Sequence, residues 1–169
     1  MVGFFGPCLI GKTTTMKQLK KLLPLAHLEH DRMRLFLKKK RFGAEKTNQI
    51  LYRYKLIIHV AKKFLLKNYS VIIDRNFATP HQDFLRAAED LAKKLKTKFF
   101  LIRITAPKWF ILRKIKTMQL KPASQGGIPN REAGLNCYLY ALKNYKKYYE
   151  KLKPRAMTTI DTSKLITQQ

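Results

Sequence analysis

Apolar residues in this chain follow two different periods. Some are packed into short runs, such as Val2-Gly3-Phe4-Phe5, Val71-Ile72-Ile73 and Phe99-Phe100-Leu101-Ile102. Others recur every three or four positions over longer stretches, the spacing of one helix face. Behind the first run, Met16, Leu19, Leu22 and Leu23 keep that helical spacing. Leu25-Ala26-His27-Leu28-Glu29 predicts a second strand, followed by a helix over about 32–40. Over 44–66, Ile50, Leu51, Tyr54, Ile57, Ile58, Ala61 and Leu65 fall on one side of a long helix. Asn68-Tyr69 breaks it, and residues 70–74 form a β-branched run ending on Asp74. Pro80 suits the first turn of a helix reaching about 95. Residues 99–104 predict a fourth strand, and the helix after Pro107 carries Trp109, Ile111, Leu112 and Ile115. A Tyr- and Leu-rich helix over 133–152 leads to a fifth strand over 156–161. Strands alternating with helices argue for a parallel sheet clothed by helices. The expected fold is a three-layer α/β/α domain with a five-stranded parallel sheet. It fills 1–169 as one unit, with no internal repeat and no linker.

The connection between the first strand and the first helix changes the picture from fold to chemistry. Gly6-Pro7-Cys8-Leu9-Ile10-Gly11-Lys12-Thr13 spells G-x-x-x-x-G-K-T in a strand–loop–helix context, the phosphate-binding P-loop. Its glycines let backbone N–H groups turn toward a phosphate chain, and the helix N-terminus adds partial positive charge. Gly6 through Thr14 are therefore the expected nucleotide-binding residues. Lys12 would reach the β- and γ-phosphates, and the Thr13 hydroxyl would bind Mg²⁺. The implied ligands are a nucleoside triphosphate, taken as ATP, and Mg²⁺.

Charge adds a second consideration. The chain holds 36 Lys and Arg against 10 Asp and Glu, a net charge of +26. Such a field draws polyanions, with nucleic acid the obvious partner, although Lys-rich solvated helix faces give the same count. No apolar stretch approaches the ~20 residues needed to cross a membrane, and no secretory signal precedes the first strand. Cys8 in the loop and Cys137 in a helix suggest neither a disulfide framework nor a metal cluster, so a cytoplasmic protein is expected. His27, His30, His59 and His81 lack zinc-ligand spacing; His30, beside Asp31, reads as a strand-end surface residue, with tuning of the acceptor site as the alternative. No N/T-K-x-D guanine motif is present. Tyr138, Tyr140, Tyr145, Tyr148 and Tyr149 read as helix packing rather than base-stacking residues.

Phosphoryl chemistry needs carboxylates, to hold a metal and to take a proton from an attacking hydroxyl. Ligands in open α/β sheets bind outside the C-terminal strand ends. Of the five Asp and five Glu, only Glu29, Asp31, Asp74 and Asp161 fall there. Asp31 has the further reading of a helix N-cap. Asp161-Thr162-Ser163 reads as a cap for the chain beyond the fifth strand.

With Asp31-Arg32-Met33-Arg34 (D-x-x-R) after the second strand and Asp74-Arg75-Asn76 (D-x-N) ending the third, residues 1–118 resemble the polynucleotide-kinase-like P-loop kinases, relatives of the zeta-toxin-type kinases. Ala106-Pro107 followed by Arg113 resembles that group's approach to its lid. The resemblance implies the strand order 2-3-1-4-5 and a lid over about 117–132, where two Pro and two Gly predict a mobile loop. It implies Asp31 as the base for the acceptor hydroxyl and Arg34 as a grip on an anionic group. Asp74 and Asn76 would orient that pair and the metal's waters, Asp74 beside Thr13 at the metal, and Arg113 would act from the lid. One departure stands out: the second lid Arg, four residues on, is here Thr117, with Lys114, Lys116 and Arg131 as substitutes. The implied function is an ATP-dependent kinase acting on a hydroxyl, a nucleic-acid 5′-hydroxyl being one acceptor. A nucleoside, nucleotide or other small metabolite is the alternative acceptor. A nucleotide-gated nucleic-acid-binding protein with little turnover is the reading from another class.

Overall fold

In the computed structural model, residues 1–39, 46–79, 82–122 and 128–164 are described. Five strands, β1 (Val2–Phe5), β2 (Leu25–Glu29), β3 (Ser70–Asn76), β4 (Phe100–Thr105) and β5 (Thr158–Asp161), form an all-parallel sheet in the order β2-β3-β1-β4-β5. The helices between them are α1 (Lys12–Leu22), α2 (His30–Lys39), α3 (Lys46–Leu66), α4 (Gln82–Lys94), α5 (Lys108–Thr117) and α6 (Arg131–Leu152). The expected α/β architecture and strand order are both present. The expected helix boundaries at Lys40 and Ala44, and Pro80 with His81, lie outside the described residues. So does the middle of the expected lid, residues 123–127.

The apolar runs explain the layering. Successive side chains on a strand point to opposite faces, so each central strand feeds two cores. Phe4, Ile72 and Ile104 pack with Met16 of α1 and with Ile111 and Ile115 of α5. Phe5, Val71 and Ile73 pack with Tyr54, Ile57 and Ala61 of α3 and with Phe84 and Ala88 of α4. Each such burial contributes about 1.5–3 kcal/mol. α6 belongs to both cores, giving Tyr138 to the first and Tyr149 and Leu152 to the second. Leu51, expected on the buried side of α3, is 45% exposed, because α3 meets the sheet through Tyr54, Ile57 and Ala61.

One irregularity in the sheet positions the site. Val2 lies opposite Ile72 and Gly3 opposite Ile73, but Phe4 lies opposite Asn76. Asp74 and Arg75 are thereby lifted out of the β1 ladder, while Asp74 stays paired with Glu29 of β2. These two residues end up at the strand mouth between α1 and α2.

Candidate active site

The phosphate loop is built by two glycines that no other residue replaces cheaply. Gly6 has φ +149°, and a Cβ there would stand 2.5 Å from the Ile104 carbonyl oxygen. Gly11, at φ +104°, starts α1, and its Cβ would meet Thr162 at 3.0 Å. Non-glycine Leu9 also adopts a left-handed φ of 63°. Three outside groups hold this loop. The Gly6 N–H donates to Asn76 Oδ1 at 3.3 Å, Thr162 Oγ1 donates to the Ile10 carbonyl at 2.7 Å, and the Thr15 hydroxyl donates to the Gly11 carbonyl at 3.1 Å. Lys12 Nζ donates to the Gly6 and Pro7 carbonyls at 2.9 and 2.6 Å, so the ammonium lies across the loop. Burial pushes Lys12 below its ordinary pKa, opposed by the negative potential of Cys8 and Asp74.

Asp74 meets this loop at the start of α1. Thr13 Oγ1 donates to Asp74 Oδ1 at 3.4 Å. His27 Nε2 lies 3.3 Å from Asp74 Oδ2 but off the line of a hydrogen bond, and it is buried without a hydrogen-bond partner. Burial raises the Asp74 carboxyl above the ordinary range, with His27 and the Thr13 hydroxyl pulling the other way. A hydroxyl beside a half-buried carboxylate is a hard-oxygen pair, the donor type that suits Mg²⁺. These residues fit the ion the P-loop implies. Among the described residues, no group of three or more His, Cys, Asp or Glu forms a metal cluster.

Across the mouth, α2 begins at His30, so Asp31 lies in its first turn rather than capping it. Arg34 Nε stands 3.5 Å and His30 Nδ1 3.8 Å from Asp31 Oδ1. His30 is not a surface residue: its side chain is 17% exposed, with its ring 6.0 Å from Tyr54. Arg75 Nη1 lies 2.9 Å from His30 Nε2. A guanidinium only donates, so Nε2 accepts and the imidazole proton is left on Nδ1, facing Asp31. Burial lowers the His30 pKa, keeping the ring neutral. The neighbouring His30 Nδ1–H, and then the Arg34 charge, hold Asp31 below the usual carboxylate range, against the effect of burial. Arg75 also donates to the Tyr54 hydroxyl and lies 4.0 Å over the Tyr54 ring. Arg34, Arg53 and Arg75 all bring positive charge to Asp31.

Asp74 stands beside Thr13, as the resemblance implies, while the side-chain contacts of Asp74 and Asn76 are with residues other than Asp31 and Arg34. Asp74 contacts Thr13 and His27, while Asn76 bridges the loop at Gly6 to the Tyr149 hydroxyl of α6, 3.2 Å from its Nδ2. Asp31 is braced by His30 and Arg75 instead. The slip in β3 gives the reason, since it turns Asp74 toward α1 and Arg75 toward α3. Asp161 accepts from Ser163 N and Oγ in a local turn, consistent with its expected capping role. On α5, ahead of the expected lid, Arg113 is exposed, and the charge of Lys114 bears on Lys12. Thr117 turns its hydroxyl back to the Arg113 carbonyl. The two limbs meet where Lys121 N donates to the Ile128 carbonyl at 2.9 Å and Arg131 Nε to the Lys116 carbonyl at 3.1 Å.

No protein-family model matches the chain, and no curated protein matches it. Solved structures do. A sugar kinase from Janibacter sp. HTCC2649 superposes with a TM-score of 0.56 at 14% identity, over 95% of this chain and 83% of that one. An inferred kinase from Chloroflexus aurantiacus J-10-fl gives 0.58 at 16% identity, over 81% and 76%. The Mycobacterium tuberculosis APS kinase in complex with AMPPNP and APS gives 0.50 at 18%, over 69% and 68%. The fold is that of the P-loop kinases. Among the described residues, no helix is long and apolar enough to cross a membrane.

Proposed function

We propose that this chain is a kinase that moves the γ-phosphoryl group of ATP to a hydroxyl on an acceptor bearing an anionic group. The observation that carries this reading is the opposition of two half-sites. Lys12, Thr13 and Asp74 stand on one side, and Asp31 flanked by His30 and Arg34 on the other. Lys12 would leave the loop carbonyls for the β- and γ-phosphates. Thr13 and Asp74 would hold Mg²⁺, which neutralises charge on the phosphate oxygens. Asp31, an ionised carboxylate near neutral pH, accepts the hydroxyl proton as the bond to phosphorus forms. Catalysis here is mainly positioning and charge neutralisation, with Lys114 and Arg113 as the lid-side cations. The kinase structures that share the fold support phosphoryl transfer. The pairs Asp31-x-x-Arg34 and Asp74-x-Asn76 favour the polynucleotide-kinase-like group within it.

The guanidinium groups of Arg34, Arg53 and Arg75 around Asp31 favour an anionic acceptor. A nucleic-acid 5′-hydroxyl and a small phosphorylated metabolite both meet that requirement. The test is transfer of labelled γ-phosphate from ATP to a panel of 5′-hydroxyl oligonucleotides, nucleotides, sugar phosphates and neutral alcohols. Labelling should be confined to acceptors carrying an anion. Asp31→Ala should lower turnover by about 100- to 10,000-fold, the range for a general base, and leave ATP affinity within about twofold. An Asp31→Ala protein as active as wild type on every acceptor overturns the base assignment; labelling of neutral alcohols alone overturns the anionic acceptor.

A further inference from the structure

The edge of the sheet opposite the strand mouths carries an apolar patch outside the candidate site. Leu25 of β2 pairs with Ser70 of β3, so the turns leading into those strands, 22–24 and 66–69, lie side by side at the N-terminal edge of the sheet. Leu22 is 76% exposed, Leu23 53%, Leu66 61% and Tyr69 51%. Two surface grooves join them. Leu23, Pro24, Phe64 and Tyr69 line the first, and Phe64 continues into the second with Leu66. The Tyr69 ring stands edge-on to Phe64 at 5.9 Å. A single exposed leucine is ordinary on a protein surface, but a contiguous group on two adjoining turns marks an interaction surface.

Cations surround this patch. Lys20 and Lys21 close the last turn of α1, and Lys20 lines the first groove. Lys63 and Lys67 line the second, on either side of Leu66. Among the described residues none of these four ammonium groups pairs with a carboxylate. The segments that build the face, 1–28 and 46–73, contain no Asp or Glu at all. Apolar tips and unpaired cations together select the partner. Nucleic-acid phosphates would satisfy the lysines and leave the leucines in water, since an aliphatic side chain offers no ring on which a base could stack. A second copy of this chain would set lysine against lysine. An anionic bilayer satisfies both features, its headgroups meeting the ammonium groups and its acyl boundary receiving the leucines.

We propose that this face docks the protein on a membrane surface containing anionic lipid, lying on the bilayer without crossing it. Asp31 and Asp74 lie toward the other ends of the strands, so the candidate active site opens away from the lipid and takes its substrates from water. The full chain is sedimented with vesicles of phosphatidylcholine, alone or with about one third phosphatidylserine. Wild type should bind the anionic vesicles at least about tenfold more tightly than the neutral ones. Leu22→Ser/Leu66→Ser should bind the anionic vesicles at least about tenfold more weakly than wild type. Its circular dichroism and denaturant midpoint should be unchanged, because both side chains are already exposed. Lys20→Gln/Lys67→Gln should weaken binding about fivefold for each charge removed. Wild type that prefers anionic vesicles no more than neutral ones overturns the proposal. A leucine variant that holds the vesicles as wild type does overturns the apolar patch, net charge alone then accounting for the binding. A single-stranded oligonucleotide is the second arm: loss of oligonucleotide affinity in the leucine variant, with vesicle affinity kept, would give the face to nucleic acid instead.

Discussion

Asp31 is held as a carboxylate by the residue before it and by one 44 positions later. His30 presents its Nδ1–H because Arg75 occupies its Nε2. His30→Ala removes the largest influence holding the Asp31 pKa down. The Asp31 pKa then rises, so the acid limb of the kcat/KM profile should move to higher pH. Turnover near neutrality, where the carboxylate is ionised either way, should change much less. A pH profile of the variant with an unshifted acid limb would show that His30 does not tune the base. Motif spacing makes Lys12, Thr13, Asp31 and Asp74 legible in the sequence, because a P-loop and an acid at a strand end are local patterns. His30, His27, Tyr54 and Arg75 are not legible that way. Their roles arise from neighbours brought together by folding, as when Tyr54 of α3 and His30 of α2 sandwich contacts around a β3 arginine. A histidine directly before an aspartate was the one available signal.

At the scale of elements, alternation of apolar runs with helical periods suffices to place all five strands: the central runs are buried on both faces between helices, and the edge strands β2 and β5 follow from the alternation. The slip between β1 and β3 escapes that reading, since hydrophobic pattern carries no information on where a parallel ladder skips. The segment after β5 is the other element-scale surprise. Thr162 is buried, and its hydroxyl reaches the carbonyls of Ile10 at 2.7 Å and Thr105 at 3.3 Å, so the end of β5 clamps the phosphate loop to the end of β4. Thr162→Val keeps the shape and removes the donor. It should cost about 1–3 kcal/mol, the penalty for a buried acceptor left unsatisfied, measured by denaturant unfolding. ATP affinity should fall as well, because Ile10 and Gly11 lead into the lysine turn. A variant as stable as wild type would show that water or another group replaces the hydroxyl.

At the scale of the whole molecule, a net charge of +26 makes every encounter with an anion dependent on salt. Screening shortens the reach of that field to ~8 Å at physiological ionic strength. The KM for an anionic acceptor should therefore rise severalfold between about 50 and 200 mM salt. An oligonucleotide acceptor should show a steep log–log slope, because several phosphates are neutralised together, and a small phosphorylated acceptor a shallow one. Steady-state kinetics in graded KCl reads this directly, and a KM for the anionic acceptor that does not change with salt would remove electrostatic capture from the account. The skipped register of β3 has a consequence of its own for the molecule as a whole. Asp74 and Arg75 are consecutive, yet one contacts Thr13, on the ATP side of the proposed site, and the other contacts His30, on its acceptor side. A single peptide bond joins the two halves of the proposed site, so a shift of Asp74 toward a bound cation would be felt at Arg75. On the proposed function, ATP and acceptor should therefore each tighten the other's binding by the same factor, read by titrating the acceptor with and without ATP; equal affinities in both cases would show that the peptide bond transmits nothing.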